Sequence, residues 1–236
     1  MQPAVIGKNV VIGENVTFGE NVTIGHNVII YDGTTIGSHT MIQDNVVIGK
    51  QPARAKNSIL PEVKQLPPTK IGSGCTIGTS SIIYANATLA DDVFVADLAT
   101  VRERVTIGEK TIVGRGVAVE NDCEVGQKCK LETNCYITAY SKLGDFVFVA
   151  PGVVTTNDNY MARSKERFDK FKGITIENGG RIGANSTILP GKVIHEDGAV
   201  GAGSVVTKDV QKEQLVVGTP AREFRQVPES QLLKNQ

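Results

Sequence analysis

Residues 71–107 read IGSGCTIGTSSIIYANATLADDVFVADLATVRERVTI, and every sixth position is aliphatic: Ile71, Ile77, Ile83, Leu89, Val95, Val101 and Ile107. An α-helix repeats near 3.6 residues and a strand near two, so strict sixes fit neither. The rhythm extends outward from this stretch. Upstream it runs from Ile6 to Ile48, with Phe18 in place of an aliphatic; downstream it continues to Val149, then restarts at Ile176 and reaches Val206. So short a repeat predicts stacked coils, a solenoid of the β-helix kind in which each turn contacts only its neighbours.

The other hexad positions say what faces inward. With the aliphatic residue as i, position i+1 is most often Gly (Gly7, Gly13, Gly72, Gly108), and i+4 is small or β-branched (Val10, Val22, Ala87, Ser186). Side chains alternate along a short strand, so i and i+4 point inward and i+2 and i+3 form a bend. Asn or Gly at i+3 (Asn9, Asn15, Asn21, Gly116, Gly203) suits that bend, because both accept positive φ. Three hexads make one triangular coil of ~18 residues, with coils ~4.8 Å apart. Cys75, Cys123, Cys129 and Cys135 all fall on i+4 and read as buried packing residues rather than metal ligands. Buried thiols suit a reducing compartment.

Lys plus Arg balance Asp plus Glu at 25 each, which gives a nucleic-acid or membrane-surface role no electrostatic support. No apolar run is long enough to span a bilayer, and a cytoplasmic location is expected. The continuous repeat predicts one all-β domain over 1–210. Loops are expected where the phase breaks, at 49–69 and 155–175, on what is commonly the binding face. Residues 211–236 are expected to form a short helical tail that starts at Thr219–Pro220 and caps the stack.

The [Leu/Ile/Val]-Gly-x-x-[small]-x series resembles the hexapeptide-repeat acyltransferases, over roughly residues 4–210 and the tail. That resemblance implies a left-handed parallel β-helix and a homotrimer with active sites between subunits. Within the family, GAGSVVTKDV (201–210) and VVGTPAR (216–222) resemble the coenzyme A end of sugar acyltransferases. APGVVTTNDNYMAR (150–163) resembles the TND…R loop of nucleotide-linked amino-sugar N-acetyltransferases, with Ala162 where that loop usually has proline. The implied reaction moves an acetyl or short acyl group from coenzyme A to the amine of a nucleotide-linked deoxyamino sugar, with no metal. The alternatives are an O-acyltransferase and a non-enzymatic scaffold.

Acyl transfer from a thioester needs phosphate anchors, backbone groups for the pantetheine arm and a proton acceptor. Lys208 and Arg222 are the anchor candidates, and the small-residue coils at Ala184, Asn185, Ala202 and Gly203 offer the backbone groups. The three histidines, His26, His39 and His195, leave residues 71–170 without one, so carboxylates are the candidates there. Their scatter also argues against the three-His zinc site of a γ-class carbonic anhydrase. Residues 18 apart stack, which predicts two ion pairs, Asp97–Arg115 and Arg102–Glu120, with Glu103 and Asn121 beside them. Asp97 is the expected base, with Glu120 and Glu132 as assistants. Arg102, Glu103, Asn134, Asn157, Asp158 and Arg163 are the expected substrate contacts, amides and Arg suiting sugar hydroxyls and diphosphate.

Overall fold

The computed structural model describes residues 2–56 and 65–236, and the centre of the expected 49–69 loop, residues 57–64, lies outside them. Each hexad supplies a strand of two residues whose first side chain faces out and second faces in. Backbone hydrogen bonds then run from coil to coil, as in Gly78 N–H to Val95 C=O (2.7 Å) and Ala96 N–H to Val113 C=O (2.8 Å). The parallel register advances by 18 residues: Thr76 lies opposite Phe94, Phe94 opposite Ile112, Ile112 opposite Lys130. Three sheets of 12, 10 and 9 strands result, beginning with Val5–Ile6, Val11–Ile12 and Thr17–Phe18. The fold is the left-handed parallel β-helix implied by the resemblance.

The inward residues form one continuous core from Phe18 to Val216. Each buried aliphatic contributes about 1.5–3 kcal/mol gross, set against the entropy of ordering the chain. Ile6 and Ile12 stay exposed although they face in, because the first coil is covered from one side only. The expected bends are in place: Asn9, Asn15, Asn21, Asn86 and Asn134 sit at φ between 55° and 60°. All four cysteines are buried and free, and burial pushes the thiols up, Cys75 to about 11 and Cys123 to about 12.

The tail departs from expectation at its start. No helix begins at Thr219–Pro220; these residues turn a hairpin between Gln214–Gly218 and Ala221–Gln226. Leu215 and Val216 pair in parallel with Ala199 and Val200, so the alternating LVV segment extends the first sheet beyond the repeat. In the tail, helical structure appears only as two single 3-10 turns, Glu229–Gln231 and Leu233–Asn235. They are fastened by buried Val227 and Leu232 packing near Ala199, and by the Asp197 carboxylate, which accepts Leu233 N–H at 3.0 Å.

Candidate active site

The prism has three edges, and both phase breaks leave it at the same one. The first follows Val47–Lys50 and the second follows Val154–Thr155, both in the second sheet; the chain returns at Lys70–Ile71 and Thr175–Ile176 in the third. Between these excursions, four coils turn this second edge in succession. Their i+1 positions stack Tyr84, Arg102, Glu120 and Thr138 in one column, replacing the usual glycine.

The column carries a closed ionic network. The Arg102 guanidinium lies over the Tyr84 ring, 4.8 Å from its centroid. Its Nε and Nη2 donate to the two Glu103 oxygens at 2.8 and 3.2 Å, and its Nη1 reaches Glu120 Oε2 at 3.4 Å. Arg104 donates to Asp122 Oδ2 (2.8 Å) and approaches Glu103 at 4.0 Å, while Asn121 Nδ2 donates to Asp122 (2.6 Å). The expected Arg102–Glu120 pair is therefore present. Arg102 and Glu103, both expected substrate contacts, hold each other, and the Glu103 side chain is only 4% exposed.

Electrostatics single out Glu120. Burial raises its carboxyl above the ordinary range, Glu103 adds to the effect, and Arg102 opposes it without cancelling it. Tyr136, on the second sheet beside this column, is raised by its own burial and then by Glu120. Burial works against the Asp122 charge too, but the hydrogen bonds from Arg104 and Asn121 prevail and hold it low. Sequence reasoning missed Tyr136, Arg104 and Asp122. The signal for the last two was present, since Arg104 and Asp122 are also 18 apart.

Asp97, Glu132 and Asn134 turn a different edge, between the first and second sheets. Asp97 Oδ1 accepts Thr79 N–H at 2.9 Å from the coil before. The same bond recurs from Asp32 to Glu14, Asp44 to His26, Asp91 to Ser73 and Asp145 to Gln127. Asp97 is thus one member of a structural ladder, and its expected ion pair with Arg115 is absent among the described residues. Asn134 is a positive-φ bend residue.

In the second excursion Asp158 is also occupied at home. Its oxygens accept Tyr160 N–H (2.8 Å), Ala162 N–H (3.0 Å) and Arg167 Nη1 (3.1 Å), and these contacts, led by Ala162, hold its carboxyl low. Arg167, unnoticed in the sequence, staples the loop and stacks near Phe168 and Phe171. Asn157 is half-buried, its carbonyl accepting Lys172 N–H; Arg163 is exposed.

Two family descriptions match the repeat: the bacterial transferase hexapeptide (six repeats) over residues 17–50, and the hexapeptide repeat of succinyl-transferase over 100–139 and 173–208. Over those residues the repeat is a hexapeptide repeat of the bacterial transferase kind. Among curated relatives, the dTDP-3-amino-3,6-dideoxy-alpha-D-galactopyranose 3-N-acetyltransferase of Aneurinibacillus thermoaerophilus is 46% identical over 54 residues, 23% of this chain and 28% of its own length. The galactoside O-acetyltransferase of Escherichia coli is 34% identical over 89 residues, 36% of this chain and 43% of its own. The chain therefore spans less than half the length of these relatives. The solved UDP-N-acetylglucosamine O-acyltransferase of Moraxella catarrhalis covers 94% of this chain and 74% of its own at TM-score 0.58 and 18% identity, a likeness of fold alone.

The remaining candidates of this hexapeptide-repeat chain lie near its C-terminal end. Ala184, Asn185, Ala202 and Gly203 turn the first edge in the last coils, and nothing lies within 4 Å of where a Gly203 Cβ would be. Lys208 is exposed at the second edge of the last coil, and Arg222 is exposed on the closing strand of the hairpin. No histidine lies at the second edge among the described residues; His26 accepts Lys8 N–H (2.8 Å) and His195 meets Glu177 (3.1 Å), both elsewhere. No helix of the described residues is long and apolar enough to cross a membrane.

Proposed function

We propose that the chain transfers an acetyl or other short acyl group from coenzyme A to the amino group of a nucleotide-linked deoxyamino sugar. The observation that carries this reading is the second edge: a partly desolvated carboxylate, Glu120, beside Arg102 and between two insertions. The amine attacks the thioester carbonyl, forming the C–N bond and a tetrahedral intermediate. Glu120 accepts the amine proton, directly or through water, and collapse breaks the C–S bond, the departing thiolate taking that proton back to leave as the coenzyme thiol. A carboxylate suits an amine, part of which is already neutral at mildly alkaline pH, better than a hydroxyl. The base in this reading is Glu120 rather than Asp97, whose carboxylate is committed to Thr79.

The outer row of the second sheet supports a homotrimer. Eight of its ten outward positions are apolar or aromatic, among them Val11, Ile29, Val47, Ile82 and Val154, with Thr100 and Thr187 the exceptions, whereas the third sheet presents Thr, Lys or Glu at eight of nine, with Val193 the exception. A neighbour seated on the apolar row would form a cleft along it. The pantetheine arm would lie against Ala184, Asn185, Ala202 and Gly203, with Lys208 and Arg222 toward the phosphates. Asn157 and Arg163 would meet the sugar nucleotide from above. From below, a hollow of about 230 Å³ lined by Tyr31, Asp32, Gln51 and Gln65 continues the same edge.

The test is thiol release from acetyl-CoA against a panel of nucleotide amino sugars and their hydroxy counterparts. Turnover with an amine is expected. Turnover confined to hydroxyl acceptors would replace the reading with O-acylation, as in the galactoside relative, and silence without coenzyme A binding would leave a scaffold.

A further inference from the structure

We propose that Glu103 is a positioning residue that holds the Arg102 guanidinium away from Glu120 and so keeps the Glu120 carboxylate free to accept a proton. This rests on the reading of Glu120 as the base.

The geometry carries the assignment. Of the two buried carboxylates among the described residues, Asp197 anchors the tail through Leu233, and Glu103 is the other, at 3% exposure. A buried carboxylate is costly unless paired, and Glu103 is paired on both sides, by Arg102 and more distantly by Arg104. It engages Arg102 through Nε and Nη2, the fork that fixes the guanidinium plane most firmly. Tyr84 supports that plane from its face. Only Nη1 remains for Glu120, at the long distance of 3.4 Å, and it reaches one oxygen, Oε2. Glu120 is thus steadied by one weak contact instead of being locked into a two-point ion pair.

Charge acts in the same direction. The groups around Glu120 are Arg102 and Glu103 from the coil before, Tyr136 from the coil after, and Cys123 on its own turn. Glu103 neutralises part of the Arg102 attraction and adds like-charge repulsion, so Glu120 stays more basic than an Arg-paired carboxylate would be. Neutralising Glu103 by Glu103→Gln removes the repulsion and puts an amide donor against the Arg102 donors. Arg102 then turns toward Glu120 and favours its charged form.

The experiment is a carboxyl ¹³C NMR titration of the intact protein, with the Glu120 resonance assigned by its loss in Glu120→Gln. In Glu103→Gln the Glu120 midpoint is expected to move to lower pH. The acid limb of kcat/KM, read with acetyl-CoA and whichever panel sugar turns over, should move with it, while kcat falls about tenfold, less than removal of the base itself costs. Glu103→Asp keeps the charge, and should restore the midpoint toward the wild-type value even where kcat stays low. A Glu120 midpoint that stays put or rises in folded Glu103→Gln overturns the proposal, as does one that Glu103→Asp shifts equally. If Glu120→Gln retains wild-type turnover, the reading of the base fails and this inference goes with it; if Glu120→Gln is inactive and Glu103→Gln does not shift, only the inference fails.

Discussion

Asp97 on the first edge and Glu120 on the second are placed by the same hexad, yet their carboxylates are used in opposite ways. Asp97 sits at i+2 and closes a backbone hydrogen bond to the coil before, as Asp44 does on the same edge toward His26 N–H at 2.6 Å and Asp32 does on the second edge toward Glu14 N–H at 2.8 Å. Glu120 occupies i+1, where glycine normally lets the backbone of the next coil approach closely, and its longer stem carries the carboxylate to Arg102 rather than to the backbone. The lesson is that a charge in this fold is structural when its side chain is short enough to cap the neighbouring coil. It becomes available for chemistry when it reaches past that coil.

The largest effect should come from Glu120→Gln. Loss of the base is expected to lower kcat about 100-fold or more in the thiol-release assay, with unchanged folding by circular dichroism. Because only ionised Glu120 accepts a proton and burial raises its carboxyl, wild-type kcat/KM should fall on acidification at a pH above the ordinary glutamate range. The Glu120 contribution to that limb should vanish in the variant, leaving the limb set by protonation of the sugar amine.

Next is the sheet that separates the two edges. Val154→Glu places a charge on its apolar outer row and is expected to convert the proposed trimer to monomers in light scattering, taking activity with it. Persistence of a trimer would place the interface elsewhere. At the coenzyme end of the first edge, Ala202→Trp should raise the KM for acetyl-CoA about tenfold while leaving kcat near wild type.

A smaller, pH-dependent effect belongs to Asp122. Its carboxyl is held low in the fold, so the stability it adds is complete above the unfolded aspartate pKa and disappears as pH falls through the depressed folded value. With both partners about 30% exposed, Asp122→Asn should cost about 1 kcal/mol or less in urea melts at neutral pH, and the difference should close under acid conditions. Smallest of all, Asp97→Asn keeps an acceptor oxygen for Thr79 N–H, so its turnover should stay within about twofold of wild type, as for an exposed group outside the chemistry.

The solenoid was legible because burial imposes a period, and the period is visible in one sequence. Stacking by 18 also found the Arg102–Glu120 pair. It failed for Asp97 and Arg115, because column arithmetic identifies neighbours without saying whether a short side chain turns along the stack or outward. The recurrence of Asp, Asn or Ser at i+2 (Asp32, Ser38, Asp44, Asp91, Asp145, Asn178) was the readable sign of the capping ladder. Both interruptions open after second-sheet strands, a phase relation also present in the sequence and decisive for the site. The tail was misread because Thr219–Pro220 suits a helix start locally, while pairing of Leu215 and Val216 with Ala199 and Val200 depends on a distant coil.

The most direct measurement is a crystal structure with coenzyme A and the amino-sugar nucleotide that turns over. The account predicts the acceptor nitrogen at the second edge, about 3 Å from the Glu120 carboxylate or linked to it by one water. An acceptor nitrogen bound instead at Asp97 or Glu132 on the first edge would contradict it.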